Sequence, residues 1–212
     1  MKYFSAMIIK AKHHWFYYPF FKFYSRRMPQ KDFRRVSVHS EVEDLGLPIL
    51  MLGNHISWWD GFLALYINIE FFHRKFHIMM LEEQLEKRMF LNKTGAYSIK
   101  KGSRSVMETL DYTSELLKDS ANMVILFPQG EIHSMHEFPV TFEKGWFRIF
   151  SNLENPIQVL FFITLIDYFS SRKPCLNIYL YDYDYKDQKL EDMNRAFNDC
   201  LFQSIEIQKS MT

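Results

Sequence analysis

His55 and Asp60 are the side chains in this sequence whose types and spacing best suit acid–base chemistry. An imidazole has an ordinary pKa near neutrality, so it can accept a proton from a hydroxyl group. A carboxylate that holds one ring nitrogen leaves the other nitrogen free for that transfer. Five helical residues make about one and a half turns, so Asp60 can reach back to His55. We therefore predict a general base, His55, oriented by Asp60; a structural pair that caps a helix is the alternative.

The spacing by itself does not identify this pair, because His39 and Asp44 are also five positions apart. The two pairs differ in what surrounds them. A short apolar run over residues 48–52 precedes His55, and a helical pattern follows it. Ligands of open α/β sheets bind at the carboxyl ends of strands, where such a strand-to-helix turn lies. His39 instead leads into acidic residues without that turn, so we favour His55.

A turn rich in polar groups follows the clearest apolar run of the chain, which predicts a buried strand over residues 123–127. The turn reads Phe-Pro-Gln-Gly-Glu over residues 127–131. Its glycine permits a tight turn, in which backbone N–H groups can face an oxygen atom. We predict that Gln129, Gly130 and Glu131 bind the substrate or stabilise an oxyanion.

Two further groups of side chains are candidates for substrate contact. Lys100, Lys101 and Arg104 place three cations within five residues, which suits a phosphate or a carboxylate. We predict that they bind the headgroup of an acceptor, and a solvated basic loop is the alternative. Trp58 and Trp59 are predicted to line a pocket for an acyl chain, with packing in the core as the alternative.

Glu131, His133, His136 and Glu137 form a cluster of residue types that bind metal ions. One alternative function is therefore a metal-dependent hydrolase that uses Glu131, His133 and His136. A cluster of this kind after a strand is also typical of a polar active-site rim or an exposed loop, which we favour. The sequence consequently predicts neither a bound metal nor a cofactor.

Short apolar runs alternate with helical patterns along the chain, which is typical of an α/β layer. We predict a single domain with a largely parallel central sheet flanked by helices, plus an N-terminal amphipathic helical segment. Alternating tyrosines over residues 179–185 are predicted to mark an edge strand. The predicted strands cover residues 35–39, 48–52, 76–81, 97–99, 123–127, 156–166 and 176–185. The predicted helices cover residues 57–69, 82–91, 103–118, 144–153 and the end of the chain from about 190.

The first 31 residues differ in composition from the rest of the chain. They contain seven Lys and Arg, no Asp or Glu, and ten aromatic residues, although the net charge of the whole chain is +1. Aromatic rings favour the headgroup boundary of a bilayer, and each basic residue gains about 1 kcal/mol near anionic lipids. We predict a membrane-contacting segment over residues 1–31, which Pro19 splits into two short helices. Packing of the rings on the protein's own core is the alternative.

The same composition bounds the location and the partners of the protein. No stretch of about 18 uncharged apolar residues occurs, so no transmembrane span is predicted. Lys10 and Lys12 interrupt the apolar core that a secretory signal peptide needs. We expect a peripheral or monotopic protein on the cytoplasmic face of a membrane. A nucleic acid partner is not predicted, because the chain beyond residue 31 is acidic.

Four blocks, in this order along the chain, resemble the glycerophospholipid acyltransferase family, which includes the lysophosphatidate acyltransferases. His55 and Asp60 match its first motif, a histidine and an aspartate separated by four residues. The resemblance covers roughly residues 45–168, and the order of the blocks makes it more specific than any one of them. The other matches are Gly95, Ile99 and Lys101 in the second motif, Phe127, Pro128 and Gly130 in the third, and the later segments 142–145 and 156–159.

The resemblance implies an acyltransferase domain over residues 32–212. Such a domain would move a fatty acyl group from acyl-CoA or an acyl carrier protein to a hydroxyl of a lysophospholipid or a related lipid. Its partners would be membrane lipids and the acyl donor. Gln129, Glu131 and Ile132 replace the Glu, Thr and Arg of the third motif, and that Arg helps to hold the acceptor's phosphate in the family. Acceptors other than a plain lysophosphatidate therefore remain open, and an inactive membrane scaffold is the non-enzymatic alternative.

Overall fold

Residues 8–211, which the computed structural model describes, form one seven-stranded sheet with helices packed on both faces. The predicted α/β fold is confirmed. The strands are β1 (Arg35–Ser40), β2 (Ile49–Gly53), β3 (Lys75–Leu81), β4 (Ala96–Ile99), β5 (Asn122–Leu126), β6 (Gln158–Asp167) and β7 (Cys175–Tyr183). The helices are α1 (Tyr17–Asp32), α2 (Asp60–Ile67), α3 (Glu82–Glu86), α4 (Ser105–Leu116) and α5 (Leu190–Lys209).

The strands lie in the order β1-β7-β6-β2-β5-β3-β4, and every neighbouring pair is parallel except β6 with β7. The prediction of an edge strand at residues 179–185 is wrong for Tyr179 and Leu180, where β7 pairs with β1 as well as with β6; beyond Leu180 only β6 among the described strands pairs with it. The alternation of tyrosines does not reveal this second partner. It reflects the two faces of a strand and carries no information about the strand's neighbours.

β2 and β5 form the centre of the structure and are buried along their whole length. Such strands read as continuous apolar runs because helices cover both faces of a parallel sheet. The two strands are parallel neighbours, with Met51 opposite Ile125 and Leu52 opposite Leu126. Their carboxyl ends therefore meet at the same edge of the sheet, and the turns that follow them meet there as well.

α1 is one continuous helix, so the prediction that Pro19 splits this segment was wrong. Pro19 lies in the first turn, where a proline is tolerated. The N–H groups of Tyr18 and Phe20 on either side of it still donate to the oxygens of His14 and Phe16. Met28 is buried in the core, and Phe21 packs against the core from the same helix, while Phe20 and Phe23 are exposed. One face of α1 thus packs on the protein's own core, as the alternative predicted, while its other face exposes aromatic rings.

Two predicted helices differ in the structure: α3 is shorter than predicted, and the helix predicted over residues 144–153 is of the 3₁₀ type. α3 ends at Glu86 because the chain then makes successive turns that bring it back beside β3 as β4. Asn92 fixes these turns, since its side-chain amide donates to the backbone oxygens of Lys10 and Ala96. The segment predicted as a helix over residues 144–153 is a 3₁₀ helix, Gly145–Asn152.

Candidate active site

His55 and Asp60 are in contact at the carboxyl end of β2. The Nδ1–H of His55 donates to Oδ2 of Asp60 over 2.9 Å. Asp60 is fully buried, whereas the side chain of His55 is 21% exposed. The carboxylate fixes the tautomer, because it accepts the proton on Nδ1 and leaves the lone pair on Nε2. This is the arrangement that a general base requires.

The local chain explains how Asp60 is held. Its Oδ2 also accepts the backbone N–H groups of Ile56 and Ser57, each at 2.8 Å. Asp60 is the first residue of α2, and a helix N-terminus stabilises a negative charge. The carboxylate therefore closes the turn between β2 and α2 and orients the imidazole with the same oxygen. The capping alternative does not hold, because no side-chain hydrogen bond from the described residues caps α2 and both N–H groups belong to residues before the helix.

The turn after β5 supports His55 from the other side. The ring of Phe127 stacks on the imidazole, with 4.4 Å between centroids and 16° between planes. The side-chain oxygen of Gln129 accepts the backbone N–H of His55 over 2.7 Å, and the backbone N–H of His133 donates to the oxygen of His55 over 2.9 Å. Gln129, predicted to contact substrate, is buried here and links the two turns.

Gly53 and Asn54 position this turn, although neither was predicted as a site residue. A Cβ atom on Gly53 would lie 2.8 Å from the ring of Phe127, so a glycine is needed where that ring packs. The buried amide of Asn54 donates to the backbone oxygen of Thr164 over 2.9 Å and accepts its N–H over 2.8 Å. A Gly-Asn pair at the end of a buried strand was the available signal.

A cavity of about 620 Å³ opens beside His55. It lies where the sheet splits: β3 pairs with β5 only as far as Ile78, and the rest of β3 continues along β4. Side chains from both faces of the sheet therefore reach the cavity. Most of its lining is apolar, including Phe62, Leu65, Phe76, Leu110, Leu126 and Trp146. The volume and lining are typical of a site for a small organic group or an alkyl chain.

Trp58 and Trp59 differ in their relation to the cavity, although their rings are in contact, with 5.5 Å between centroids. Trp58 lines the cavity, and the guanidinium of Arg88 lies 5.1 Å from its ring. Trp59 is 45% exposed and is not among the residues that line the cavity.

The predicted cations also separate. Lys101 lines the cavity and forms an ion pair with Glu143 over 2.6 Å. Lys100 is paired with Glu82 over 3.1 Å, and neither Lys100 nor Arg104 is among the residues that line the cavity. Glu143 was not identified as a site residue from the sequence, because it is 42 positions from its partner.

The turn at residues 127–131 does not offer the backbone N–H of Gly130 to the cavity, contrary to the prediction of an oxyanion site there. The N–H of Gly130 donates to the oxygen of Phe127 over 3.0 Å, so it closes the turn itself. Gly130 has a φ of +75°, and a Cβ there would meet Glu143 and Lys101. Gly130, Glu131 and Ile132 all line the cavity.

In the cluster of residues 131–137, considered above as a metal site, two carboxylates contact the same imidazole. His133 lies between two carboxylates, with Nδ1 2.8 Å from Oε1 of Glu137 and Nε2 3.3 Å from Oε1 of Glu131. The hydrogen bond to Glu137 is the main cause of a raised pKa of His133. Among residues 8–211, no group of three or more His, Cys, Asp or Glu side chains is placed to hold a metal ion.

Comparison with known proteins gives a consistent result. A family model described as "Acyltransferase" matches residues 35–162. The fold is similar to the crystal structure of the 1-acyl-sn-glycerophosphate (LPA) acyltransferase PlsC from Thermotoga maritima, with a TM-score of 0.61 and 15% identity. The similarity covers 91% of this chain and 80% of that chain. No curated protein sequence matches the chain.

Proposed function

The chain belongs to the acyltransferase family, and from that premise we propose that it transfers a fatty acyl group from an acyl thioester to a hydroxyl group of a lysophospholipid or a related lipid. The observation that carries the proposal is the contact between His55 and Asp60 at the wall of an apolar cavity. The acyl donor is acyl-CoA or an acyl carrier protein, and the reaction needs neither a metal nor a further cofactor.

The proposed mechanism is a direct transfer. Nε2 of His55 takes the proton of the acceptor hydroxyl while that oxygen attacks the thioester carbonyl. The new C–O bond forms, the C–S bond breaks, and the thiolate receives the proton from the imidazolium. Asp60 stabilises the imidazolium that exists between these two transfers. A positioned base typically contributes 10²–10⁴-fold to such a reaction.

The cavity would hold the acyl chain of the donor. Its apolar lining supports this assignment, since each buried methylene contributes about 0.8 kcal/mol. Trp58 and Phe62 lie close together, with 5.6 Å between their ring centroids, and both line the cavity. A carbonyl held beside His55 would leave the rest of the chain among these side chains.

The proposal is tested by acyl transfer with purified protein in mixed micelles. Release of free thiol from acyl-CoA or acyl carrier protein is measured together with the mass of the ester product, and His55→Ala serves as the blank. We expect thiol release only when a lysolipid is present. Thiol release without an acceptor would indicate a thioesterase, and no product with any donor and acceptor would support the inactive scaffold.

We further propose that the protein acts as a peripheral membrane protein through α1. No helix among the described residues is long and apolar enough to cross a bilayer. Trp15, Phe16, Phe20 and Phe23 are exposed, and Trp15 is 81% exposed. Exposed rings of this kind, accompanied by basic residues, are suited to the boundary between headgroups and acyl chains. Lys2, one of those predicted basic residues, lies outside the described residues.

The exposed ring of Phe20 lies against Phe21, with 5.2 Å between ring centroids. Phe21 of α1 lines the cavity and stacks on Phe90, with 5.4 Å between centroids and 12° between planes. Phe90 is itself exposed, as are Met89 and Trp59. A bilayer that contacts these side chains would meet the cavity from the side on which both lipid substrates dissolve.

Vesicle binding tests this second proposal. We expect salt-sensitive binding to anionic vesicles, and at least a tenfold loss of binding in the variant Trp15→Ser/Phe20→Ser/Phe23→Ser. Phe202→Ser, which changes an exposed ring on α5, is the matched control. Removing residues 1–31 is a weaker test because it also removes buried Met28. Equal binding of the triple variant and the control would contradict a membrane contact through α1.

A further inference from the structure

The charged side chains that line the cavity have a composition unsuited to a phosphate monoester. Among the described residues that line it, Lys101 carries a positive charge, Glu131 and Glu143 carry negative charges, and no other Lys, Arg, Asp or Glu is present. Their formal sum is −1. A phosphate monoester carries about −1.5 to −2 near pH 7, so it would enter a region that already has an excess of negative charge.

The positive charge of Lys101 is already engaged. Its Nζ lies 2.6 Å from Oε1 of Glu143, and the pair crosses above Gly130, where the absence of a Cβ leaves room for both side chains. A phosphate that contacts this lysine would therefore also lie beside the carboxylate of Glu143. The like charge of that carboxylate opposes binding and offsets the attraction of the lysine.

Glu143 is held in place by its backbone. Its N–H donates to the oxygen of Pro128 over 2.8 Å, which ties it to the turn beside His55. Three residues earlier, the backbone N–H of Val140 donates to the side chain of Asn198 over 2.7 Å, and the amide of Asn198 returns a hydrogen bond to the oxygen of Val140. The carboxylate is therefore attached to a segment that α5 anchors.

The other two predicted cations do not compensate within the cavity. Lys100 is paired with Glu82, and Arg104 is exposed at the start of α4. The family's phosphate-binding position is occupied by Ile132, whose side chain lines the cavity without a charge. The wall nearest to Gly130 thus presents two carboxylates, of which Glu143 is paired with Lys101 and Glu131 lies 3.3 Å from Nε2 of His133.

We infer that the acceptor is a lysolipid whose headgroup carries a protonated amine, and that Glu131 and Glu143 bind that amine while disfavouring a phosphate monoester. This inference rests on the proposed acyltransferase function and specifies its acceptor. An ammonium group would meet a carboxylate with favourable charge at both residues. At Glu143 it would share the carboxylate with Lys101, which contacts Oε1.

The experiment compares three acceptors that share one acyl chain and differ in headgroup. The probes are lysophosphatidylethanolamine, lysophosphatidylglycerol and lysophosphatidic acid, presented in neutral mixed micelles with one acyl thioester. We expect kcat/KM to be at least about tenfold higher with the ethanolamine lipid than with lysophosphatidic acid, and the glycerol lipid to lie between them. A preference for lysophosphatidic acid, or equal rates with the ethanolamine and glycerol lipids, would overturn the inference.

A charge variant tests the assignment to these residues. Glu131→Gln/Ile132→Arg adds two positive charge units to the cavity wall, and both side chains are exposed, so the fold should tolerate the change. We expect the ratio of the ethanolamine to the monoester rate to fall about tenfold or more. Glu115→Gln, which removes a negative charge from an exposed pair on α4 away from the cavity, is the matched control.

The ratio of the two rates distinguishes a failure of folding from a failure of this inference. Partial unfolding lowers both rates and leaves their ratio unchanged, so the ratio reports specificity. An unchanged ratio in the double variant, with the ethanolamine lipid still preferred, would remove Glu131 from the assignment. Absence of transfer to all three acceptors would count against the proposed function itself, whereas transfer with the opposite preference would contradict only this inference.

Discussion

Two regions of the molecule contain a histidine followed five positions later by an aspartate, and only one of them forms a pair. His55 donates to Asp60, whereas His39 lies 3.3 Å from the side-chain oxygen of Asn177. Asp44 is engaged elsewhere: its Oδ1 accepts the N–H of Gly46 over 2.9 Å and contacts Arg74 over 2.6 Å. The spacing is identical, so the difference arises from the chain between the two residues.

The backbone explains the contrast. His39 belongs to β1, and an extended strand advances about 3.3 Å per residue, so the chain carries Asp44 away from it. After His55 the chain turns at once into α2, which brings Asp60 back. The two imidazoles are otherwise alike: each stacks on an aromatic ring with 16° between planes, Phe127 for His55 and Tyr179 for His39. The carboxylate, and not the stacking, distinguishes the candidate base.

The largest expected effect comes from removing each imidazole. His55→Ala should lower kcat/KM for acyl transfer by about 10³–10⁴-fold, because the proposed general base is lost. His39→Ala should stay within about twofold of wild type. Both variants are compared in the thiol-release assay after thermal melts confirm folding. A comparable loss in His39→Ala, or none in His55→Ala, would mean that another residue accepts the proton.

Replacing Asp60 and Asp44 by asparagine tests the same contrast at the two carboxylates. Asp60→Asn should lower kcat by about 10²–10³-fold, because an amide neither stabilises the imidazolium nor fixes the same tautomer. Asp44→Asn should leave kcat unchanged and lower the free energy of unfolding by less than about 1 kcal/mol, since its ion pair with Arg74 is partly exposed. Urea denaturation measures the second effect. An Asp60→Asn variant with wild-type kcat would show that the contact has a structural role only.

A third histidine, His77, has no carboxylate hydrogen-bond partner among the described residues, and we expect it to affect the pH dependence of the free energy of unfolding. His77 is buried beside His13, with 4.9 Å between ring centroids, and its Nε2–H donates to the side-chain oxygen of Asn122. Burial, together with His13 and Lys75, lowers the pKa of His77 to about 4, although Asn122 and Asp119 act in the opposite direction. Burial also lowers the pKa of His13.

The sign of the pH effect follows from these directions. The unfolded chain binds a proton at His77 below about pH 6.5, while the folded protein does so only near pH 4, so stability is lost as the pH falls through this range. The loss attributable to His77 should reach about 3 kcal/mol. Urea denaturation at pH 7.5 and pH 4.5 measures it, and His77→Gln should show a smaller difference between the two conditions. An equal pH dependence in that variant would contradict the assignment.

Much of the fold follows from local patterns. All seven predicted strands are present within a few residues of their predicted bounds, because apolar runs and alternating residues are both local consequences of how a strand is buried. The errors lie where longer-range packing decides. β7 has a second neighbour that its alternating tyrosines do not indicate, and α1 continues through Pro19 because that residue falls in the first turn.

The contacts of the candidate site can also be divided into local and long-range ones. The contact between His55 and Asp60 closes within six residues, so a short segment of sequence contains all of its determinants. Gln129 reaches His55 across 74 positions, and Glu143 reaches Lys101 across 42. The contact of Gln129 depends on β2 and β5 being neighbours. The contact of Glu143 depends on a segment that α5 anchors.

Local sequence accounts for the α/β class, for the strand-to-helix turn and for the pair of His55 with Asp60, because the residues that form each of them are close along the chain. Packing between distant segments sets which polar groups surround that pair. It placed Lys101 against Glu143 above Gly130 and turned Gln129 toward the backbone of His55. The physical reason is that the order of strands in a sheet brings together segments that are distant in sequence, and no local pattern encodes that order.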